Sequence, residues 1–418
     1  MKTNLLVTIL LLINTSLFSQ INWVSKHVME NAIQRPAVCI FNDESLWIAG
    51  INNTTYDLIN YKTTDGGLTW TSKVNSFQDY YIGDFTAINS NVAWYLSNLS
   101  GSIGNIRKTT DGGETWQVQW DNLNFFGNCI YFWDENNGFL MGDPTNNEFN
   151  IFTTSDGGNT WTQVANNLIP DIITGEYGIS QLKEIQGDKV QFVTNKGRIF
   201  KSDDRGQNWE AITTPFTSYF RLAINDDNTM WIHGLQNSEL LLWKTVDGGV
   251  NWLSIPYTYA GSFINDVFYV PNSGSYLLGS RYSSGSSLSS ASNDGGNNWT
   301  DFNVTSNINK IDGLNENNIW GVSGTEIFKL DGLGLSTNDF EQNKQIEIFP
   351  NPAKDILNIT NILRNSTISI VDMYGKLLLN KAVTTINEEL DIRALQGGVY
   401  VLKIENAKGA VTKIFVNY

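Results

Sequence analysis

The chain has 418 residues, of which 41% are hydrophobic and 17% are charged, with 36 Gly and 14 Trp. This apolar content excludes a largely disordered protein, and the abundance of Gly, Asn, Ser and Thr favours an all-β protein with many tight turns. The net charge of −15 argues against nucleic acid as a partner, because binding to phosphates needs a basic surface. With only two His and two Cys, we expect no metal site, no cofactor and two buried, unpaired cysteines.

The first 19 residues have the three parts of an export signal. Lys2 supplies the positive charge, residues 5–13 supply a short apolar run, and Ser16 and Ser19 mark cleavage before Gln20. The apolar run is too short to span a bilayer, and no Cys follows it as in a lipoprotein. We therefore expect a signal peptide over residues 1–19 and a mature, exported protein without a transmembrane segment.

Six copies of an eight-residue box follow, with the pattern Ser/Thr-x-Asp-Gly-Gly-x-Thr/Asn-Trp in all but box four, and their Trp residues are 43 to 48 positions apart. Asp-Gly-Gly turns the chain tightly between two strands, and box four keeps its second Gly although Arg205 replaces the first. We expect the carboxylates to accept hydrogen bonds within the turn rather than bind calcium. These structural residues are Asp65, Asp111, Asp156, Asp204, Asp247 and Asp294.

A fixed period of this size with a strand pattern predicts a β-propeller. Seven apolar strand segments alternate with only six boxes, and the seventh repeat stops at Asp331 without a box. Residues 21–26 are similar to the strands that follow the boxes. We therefore expect residues 20–331 to form seven blades, with the N-terminal segment closing the ring as the outer strand of the last blade.

The boxes resemble Asp-box repeats, also called bacterial neuraminidase repeats. The spacing and the number of blades resemble the photosystem II assembly-factor-like and sortilin-type propellers. The box is specific for the fold and carries little information about function.

The composition changes after residue 345. Residues 20–345 carry 18 basic and 35 acidic side chains and all 14 Trp, whereas residues 346–418 carry 8 basic and 7 acidic side chains. Residues 332–345 have the polar composition of a linker. The last 73 residues contain seven short strand patterns, which predict a small immunoglobulin-like β-sandwich.

Three ordered motifs in this last segment resemble the C-terminal sorting domain of the type IX secretion system. The residues that carry the resemblance are Pro350, Asn351, Pro352, Gly375, Gly398 and Tyr400. The resemblance implies type IX secretion machinery as a partner, and a secreted or outer-membrane surface location in a Gram-negative bacterium. The alternative is an ordinary adhesive sandwich module.

The strand order places the boxes at one end of the propeller and the beginnings of the innermost strands at the other. At that second end we interpret the aromatic residues as sealing one blade against the next, with a stacking surface for sugar or peptide as the alternative. The candidate ligand-binding residues are Tyr81, Phe126, Trp133, Asp143, Tyr177, Phe220, Arg221, Arg281 and Tyr282.

Sialidases also carry Asp-boxes, and their chemistry needs an Arg cluster and a Tyr nucleophile with a Glu partner. Arg35, Arg221, Arg281, Glu210 and Tyr282 occur in a suggestive order. However, the residues around Arg35 depart from the sialidase motif, and sialidases have six blades. We therefore expect a monomeric, non-enzymatic binding or scaffold propeller for a protein or polysaccharide, with a glycoside hydrolase and an assembly factor for a surface complex as alternatives.

Overall fold

The computed structural model describes residues 21–418 except residues 53, 78–80, 100–102, 123, 257–262, 284–285, 304–306, 334–345, 363–365, 373–375 and 407–408. The chain divides into two compact units, Met1–Leu333 and Gly334–Tyr418. The predicted signal peptide and residues 334–345 of the predicted linker lie outside the described residues.

The first unit is a propeller of seven four-stranded antiparallel sheets. Blade one contains β2 (Gln34–Ile40), β3 (Leu46–Ile51), β4 (Leu58–Thr63) and β5 (Thr71–Asn75), and blade two contains β6 (Tyr81–Ala87), β7 (Ala93–Leu99), β8 (Ile103–Thr109) and β9 (Gln117–Asn122). Blade three contains β10 (Gly127–Phe132), β11 (Gly138–Thr145), β12 (Glu148–Thr154) and β13 (Thr162–Gln163), followed by a short 3-10 helix (Asn166–Leu168). Blade four contains β14 (Gly178–Gln186), β15 (Lys189–Thr194), β16 (Arg198–Ser202) and β17 (Glu210–Thr213).

The remaining blades repeat this arrangement. Blade five contains β18 (Arg221–Ile224), β19 (Met230–Gln236), β20 (Glu239–Thr245) and β21 (Leu253–Ile255), and blade six contains β22 (Phe263–Tyr269), β23 (Leu277–Ser283), β24 (Ser286–Ser292) and β25 (Thr300–Asn303). Blade seven contains β26 (Lys310–Asn315), β27 (Asn318–Val322), β28 (Glu326–Asp331) and the N-terminal strand β1 (Asn22–Val28). The first strands of neighbouring blades contact one another around the ring, including β26 and β2.

The N-terminal strand closes this ring, as the sequence predicts. β1 pairs antiparallel with β28, with Trp23 opposite Leu330. The Trp23 side chain is buried, and its indole N–H donates to Ser289 Oγ in blade six at 2.9 Å. The strand is therefore tied both to its own blade and to the neighbouring one.

Each box forms the hairpin between the third and fourth strands of its blade. In box one, Asp65 Oδ1 accepts hydrogen bonds from the Thr63 hydroxyl at 2.8 Å and the Thr69 amide at 2.9 Å, and Oδ2 accepts one from the Thr69 hydroxyl. These bonds, led by the Thr69 hydroxyl, lower the pKa of Asp65 to about 2. Gly67 has a φ of 84°, and a Cβ there would lie 2.6 Å from the Trp320 ring, so both the turn and the neighbouring blade require glycine.

The propeller cores lie between adjacent blades. Trp94 on β7 stacks on Phe132 of the next blade with ring centroids 3.6 Å apart, and its indole N–H donates to the carbonyl of Gly157 in that blade's box at 3.2 Å. The indole N–H of Trp231 makes the equivalent hydrogen bond to the carbonyl of Gly295, in the box of the next blade, at 2.9 Å. Large buried rings thus fix each blade against the following box.

The second unit is a small β-sandwich. One sheet contains β29 (Glu347–Phe349), β30 (Ile356–Thr360) and β33 (Glu388–Asp391), and the other has the order β32 (Leu377–Val383), β31 (Ser366–Asp372), β34 (Gly398–Asn406) and β35 (Gly409–Asn417). Ile359 and Leu390 from the first sheet share one hydrophobic core with Ile370, Leu402 and Phe415 from the second. The predicted all-β architecture, a seven-bladed propeller followed by a sandwich, is confirmed.

The opening motif of this unit ties its first strand to its last. The Asn351 side chain donates to the Ile414 carbonyl at 3.1 Å and accepts from the Val416 amide at 3.0 Å. The peptide bonds before Pro350 and Pro352 are cis. Gly398 begins β34, the Tyr400 hydroxyl donates to the Gln396 carbonyl at 2.7 Å, and Gly375 lies outside the described residues.

Candidate functional site

The first strands of the blades surround a central channel of about 920 Å³. The boxes lie at the end of the channel where these strands finish, because the Gly66 amide of box one donates to the Glu44 carbonyl in the β2–β3 turn at 2.8 Å. The first strands begin at the opposite end, which we call the mouth. Arg35, Tyr81, Gln181, Tyr219 and Arg221 line the cavity there.

The mouth combines aromatic rings with positive charge. The Arg35 guanidinium lies 4.0 Å above the centroid of the Tyr81 ring, and that ring lies 5.4 Å from Phe126. The Tyr219 side chain is 55% exposed. Neither Arg35 nor Arg221 forms an ion pair with any residue that the structure describes. Two guanidinium groups therefore face an open cavity in a strongly acidic domain.

Two further candidate residues lie toward the mouth end of their blades. Tyr177 is exposed and directly precedes β14. The neighbouring Glu176 anchors this loop, accepting hydrogen bonds from Arg198 Nε at 3.0 Å and from the Thr194 hydroxyl at 2.6 Å. Asp143 is half-buried and accepts from Asn128 Nδ2 at 2.5 Å, and burial raises its pKa.

Two predicted site residues are not at the mouth. Trp133 follows the end of β10 and therefore lies at the box end, where its indole N–H donates to the Gly187 carbonyl at 2.7 Å. Phe220 is only 1% exposed and packs against Phe216 with ring centroids 5.4 Å apart. In this structure Trp133 and Phe220 pack within and between blades rather than facing the open mouth.

The remaining two candidates, Arg281 and Tyr282, belong to β23, and their side chains lie outside the described part of the structure. The Glu of the sialidase-like set is not in the channel. Glu210 begins β17, the outer strand of blade four, and its exposed carboxylate lies 3.4 Å from Lys201 Nζ. At the perimeter of the ring it cannot serve as the partner of a nucleophile in the channel.

The channel interior contains ion pairs that sequence reasoning missed. The Lys183 ammonium contacts the Asp84 carboxylate, whose Oδ2 also accepts from the Ile130 amide at 3.0 Å. Burial lowers the pKa of Lys183, but the Asp84 carboxylate contributes an opposing effect, and the net pKa is raised. No local sequence pattern marks this pair, because its members come from blades two and four.

A second ion pair has the same design. Lys310 Nζ lies 3.3 Å from Asp266 Oδ2, and that oxygen accepts from the Ile311 amide at 2.8 Å. Asp84 and Asp266 thus each join the first strand of their own blade to the first strand of the next. These two pairs are structural connections between blades.

Glu184 is a channel carboxyl group whose pKa lies close to neutral pH. Burial raises its pKa to about 7, with Lys310 opposing this shift and Asp312 and Asp266 adding to it. Burial also raises the pKa of Asp312. A carboxyl group with this pKa can hold a proton at neutral pH and donate it, as a general acid must.

Comparison with known proteins assigns the two units. Residues 347–417 match the family model described as "Secretion system C-terminal sorting domain". The second unit is a type IX sorting domain. Residues 84–217 match the model "Photosynthesis system II assembly factor YCF48", which agrees with the propeller of the first unit. The sorting domain shows that the protein is exported by type IX secretion to the cell surface or the medium.

Solved structures share the propeller fold. The structure "YCF48 bound to D1 peptide" is 18% identical, with a TM-score of 0.57, over 75% of this chain and 96% of the other. YCF48 from Cyanidioschyzon merolae is 14% identical, with a TM-score of 0.56, over 73% of this chain and 98% of the other. The GH74 xyloglucanase from Xanthomonas campestris is 12% identical, with a TM-score of 0.52, over 82% of this chain and 60% of the other.

No curated protein matches the chain. Among the residues that the structure describes, no helix is long and apolar enough to cross a membrane. The same residues contain no group of three or more His, Cys, Asp and Glu side chains arranged to hold a metal ion. Both cysteines are free thiols, and Cys129 is buried as expected, whereas Cys39 is only partly buried.

Proposed function

We propose that this protein is a binding propeller at the cell surface or in the medium, and that its channel mouth binds an extended, acidic segment of a partner protein. The observation that carries the proposal is the pair of guanidinium groups, Arg35 and Arg221, which line the mouth beside the half-buried Tyr81 and the exposed Tyr219 and form no ion pair with the described residues. Arg recognises carboxylates through two parallel hydrogen bonds, and aromatic rings add apolar contact area.

The charge distribution supports an acidic ligand at this place. Residues 20–345 carry 35 acidic and 18 basic side chains, and this excess of negative charge repels an acidic partner. Two guanidinium groups at one cavity, neither of them in an ion pair with the described residues, therefore provide a local attraction and a preferred orientation. A propeller of similar fold has been solved bound to a peptide, which favours a protein ligand over a polysaccharide.

The export route favours a partner outside the cell. Because the sorting domain directs the protein to the surface or the medium, the partner is a surface or extracellular protein, and assembly or stabilisation of a surface complex is the expected role. This role needs binding alone and no bond-breaking chemistry.

A glycoside hydrolase is the second candidate function, on the strength of Glu184. Its carboxyl group, with a pKa of about 7, lines the channel together with Asp312. Glycosidases use one protonated and one ionised carboxyl group on either side of the scissile bond. A xyloglucanase with this fold illustrates that a propeller of this type supports such chemistry in another protein.

The test uses the mature full-length protein, residues 20–418, and fluorescein-labelled hexaglutamate as the probe. Fluorescence anisotropy compares the wild type with the double variant Arg35→Gln/Arg221→Gln. Loss of two carboxylate contacts should weaken binding about a hundredfold, at roughly a tenfold loss for each contact. The matched control, Arg393→Gln/Lys354→Gln, removes two exposed positive charges from the sorting domain and should bind like the wild type.

Equal binding by wild type and double variant, or no binding by the wild type, would contradict the proposal. Labelled xyloglucan and other glycans are incubated with the same proteins. Cleavage that disappears in Glu184→Gln would establish the hydrolase instead.

A further inference from the structure

The innermost strand of blade four is unusual among the first strands. β2, β6, β10 and β22 each contain a one-residue bulge relative to their partner strand. In β14 the pairs Gly178–Thr194 and Lys183–Phe192 enclose three extra residues. The widened segment, residues 179–182, lines the channel. Blade four therefore reaches farther into the channel than a regular strand would.

The widened segment is attached to two other blades. The Ser180 hydroxyl donates to Asn128 Oδ1 in blade three at 2.9 Å. The adjacent Lys183 forms the ion pair with Asp84 in blade two. These anchors hold the backbone of the segment in one position across the channel.

From this segment, Gln181 crosses the channel to blade one. Its Nε2 donates to the Arg35 carbonyl at 3.0 Å, and the two residues are 146 positions apart in the sequence. Both have left-handed backbone conformations, with φ of 63° for Gln181 and 51° for Arg35. Arg35 also precedes Pro36, which further restricts its backbone. Residues other than glycine keep such conformations only where surrounding contacts impose them.

We propose that Gln181 is a positioning residue for the mouth. By holding the Arg35 carbonyl, it maintains the left-handed backbone that places the guanidinium above the Tyr81 ring, where it can meet a carboxylate of the bound segment. The proposal rests on the function proposed above. It predicts that loss of the Gln181 hydrogen bond weakens binding although every charged and aromatic side chain of the mouth is still present.

The test variant is Gln181→Met, which preserves side-chain length and removes the donor. Gln186→Met is the matched control, because Gln186 lies on the same strand and donates to the Asn225 carbonyl at 3.1 Å at the box end of the channel. The proteins are labelled with ¹⁵N-arginine, and the Arg35 side-chain NMR signal is assigned by its loss in Arg35→Gln. A guanidinium 4.0 Å above an aromatic ring has its proton signals displaced by the ring current.

We expect Gln181→Met to abolish this displacement and Gln186→Met to preserve it, with thermal midpoints recorded for all variants. Hexaglutamate should bind Gln181→Met about tenfold more weakly, the loss of roughly one charge-assisted contact. In the Arg35→Gln background the same substitution should cause no further loss, because the two residues act as one unit. A purely structural role would not produce this dependence on Arg35.

An unchanged Arg35 signal in Gln181→Met would overturn the proposal, and so would equal losses of affinity with and without Arg35. If wild-type protein does not bind hexaglutamate, the proposed function fails, but the NMR signal still decides whether Gln181 positions Arg35. If Gln181→Met does not fold, Gln181→Asn provides the same test, because its shorter side chain cannot reach the Arg35 carbonyl.

Discussion

Carboxyl groups in this propeller behave in opposite ways according to their surroundings. Asp65, in the exposed turn of a box, accepts hydrogen bonds from neighbouring hydroxyl and amide groups, and these bonds lower its pKa to about 2. Among the described residues no such set of donors surrounds Glu184, which lines the channel, where burial raises its pKa to about 7. The boxes therefore remain ionised in moderately acidic conditions, whereas the channel changes its charge near neutral pH.

This contrast predicts that the stability of the folded protein depends on pH through the titration of Glu184. Because its pKa in the folded state lies above the usual value of 4.5, the folded protein binds this proton more tightly than the unfolded chain. The free energy of unfolding should therefore fall as the pH rises from about 4.5 to about 7, by up to about 3 kcal/mol from this group. Denaturant unfolding at pH 5, 7 and 8 should show a smaller decrease in Glu184→Gln than in the wild type.

The control for this experiment is Glu44→Gln, which changes an exposed glutamate in the β2–β3 turn. It should keep the pH dependence of the wild type. An identical pH dependence in Glu184→Gln and the wild type would contradict the assignment.

At the scale of the strands, closure of the ring depends on an element that is remote in sequence from its partners. β1 pairs with β28, and its Trp23 side chain fills a buried site next to blade six. Without β1, the edge of β28 would expose unpaired backbone groups to solvent. The N-terminal strand therefore contributes to the stability of the whole ring rather than to one blade alone.

We predict that Trp23→Ala destabilises the propeller by about 3–5 kcal/mol, the usual effect of truncating a buried aromatic side chain. Val28→Ala is the control on the same strand, because Val28 is 70% exposed, and it should change the stability by less than about 0.5 kcal/mol. Chemical denaturation followed by tryptophan fluorescence measures both variants. Similar effects of the two substitutions would show that β1 does not close the ring as a buried strand.

At the scale of the whole molecule, targeting and binding are assigned to separate units. The sorting domain has its own hydrophobic core, and the chain divides after Leu333. The net negative charge belongs to residues 20–345, which carry 35 acidic and 18 basic side chains. The acidic propeller is therefore chemically distinct from the domain that directs export.

Removal of residues 346–418 should prevent translocation across the outer membrane while the propeller itself still folds. Immunoblots of periplasm, cell surface and culture medium in the native host should show the shortened protein retained in the periplasm. Lys354→Gln, an exposed substitution in the sorting domain, should be exported like the wild type. Export of the shortened protein at the wild-type level would contradict this role of the domain.

Part of the candidate site could be predicted because the position of a residue in the repeat determines which end of the channel it occupies. Tyr81 and Arg221 begin innermost strands and therefore lie at the mouth. The same reasoning misplaced Trp133, which follows an innermost strand, and it could not show that Phe220 turns into the core. The sequence alone does not show which aromatic rings of a strand are covered by the adjacent blade.

The amino-acid sequence by itself determined the seven blades, the box hydrogen bonds, the closing strand and the sorting domain. The blades and the box hydrogen bonds follow from a regular repeat and from contacts among residues a few positions apart. The closing strand follows from the strand that the seventh repeat lacks, and the sorting domain follows from three ordered motifs. Only the tertiary structure decided the chemistry of the channel. Lys183 and Asp84 are 99 positions apart, and Gln181 and Arg35 are 146 apart. Such pairs meet only when the ring closes and a three-residue bulge brings blade four into the channel, and no local pattern encodes that geometry.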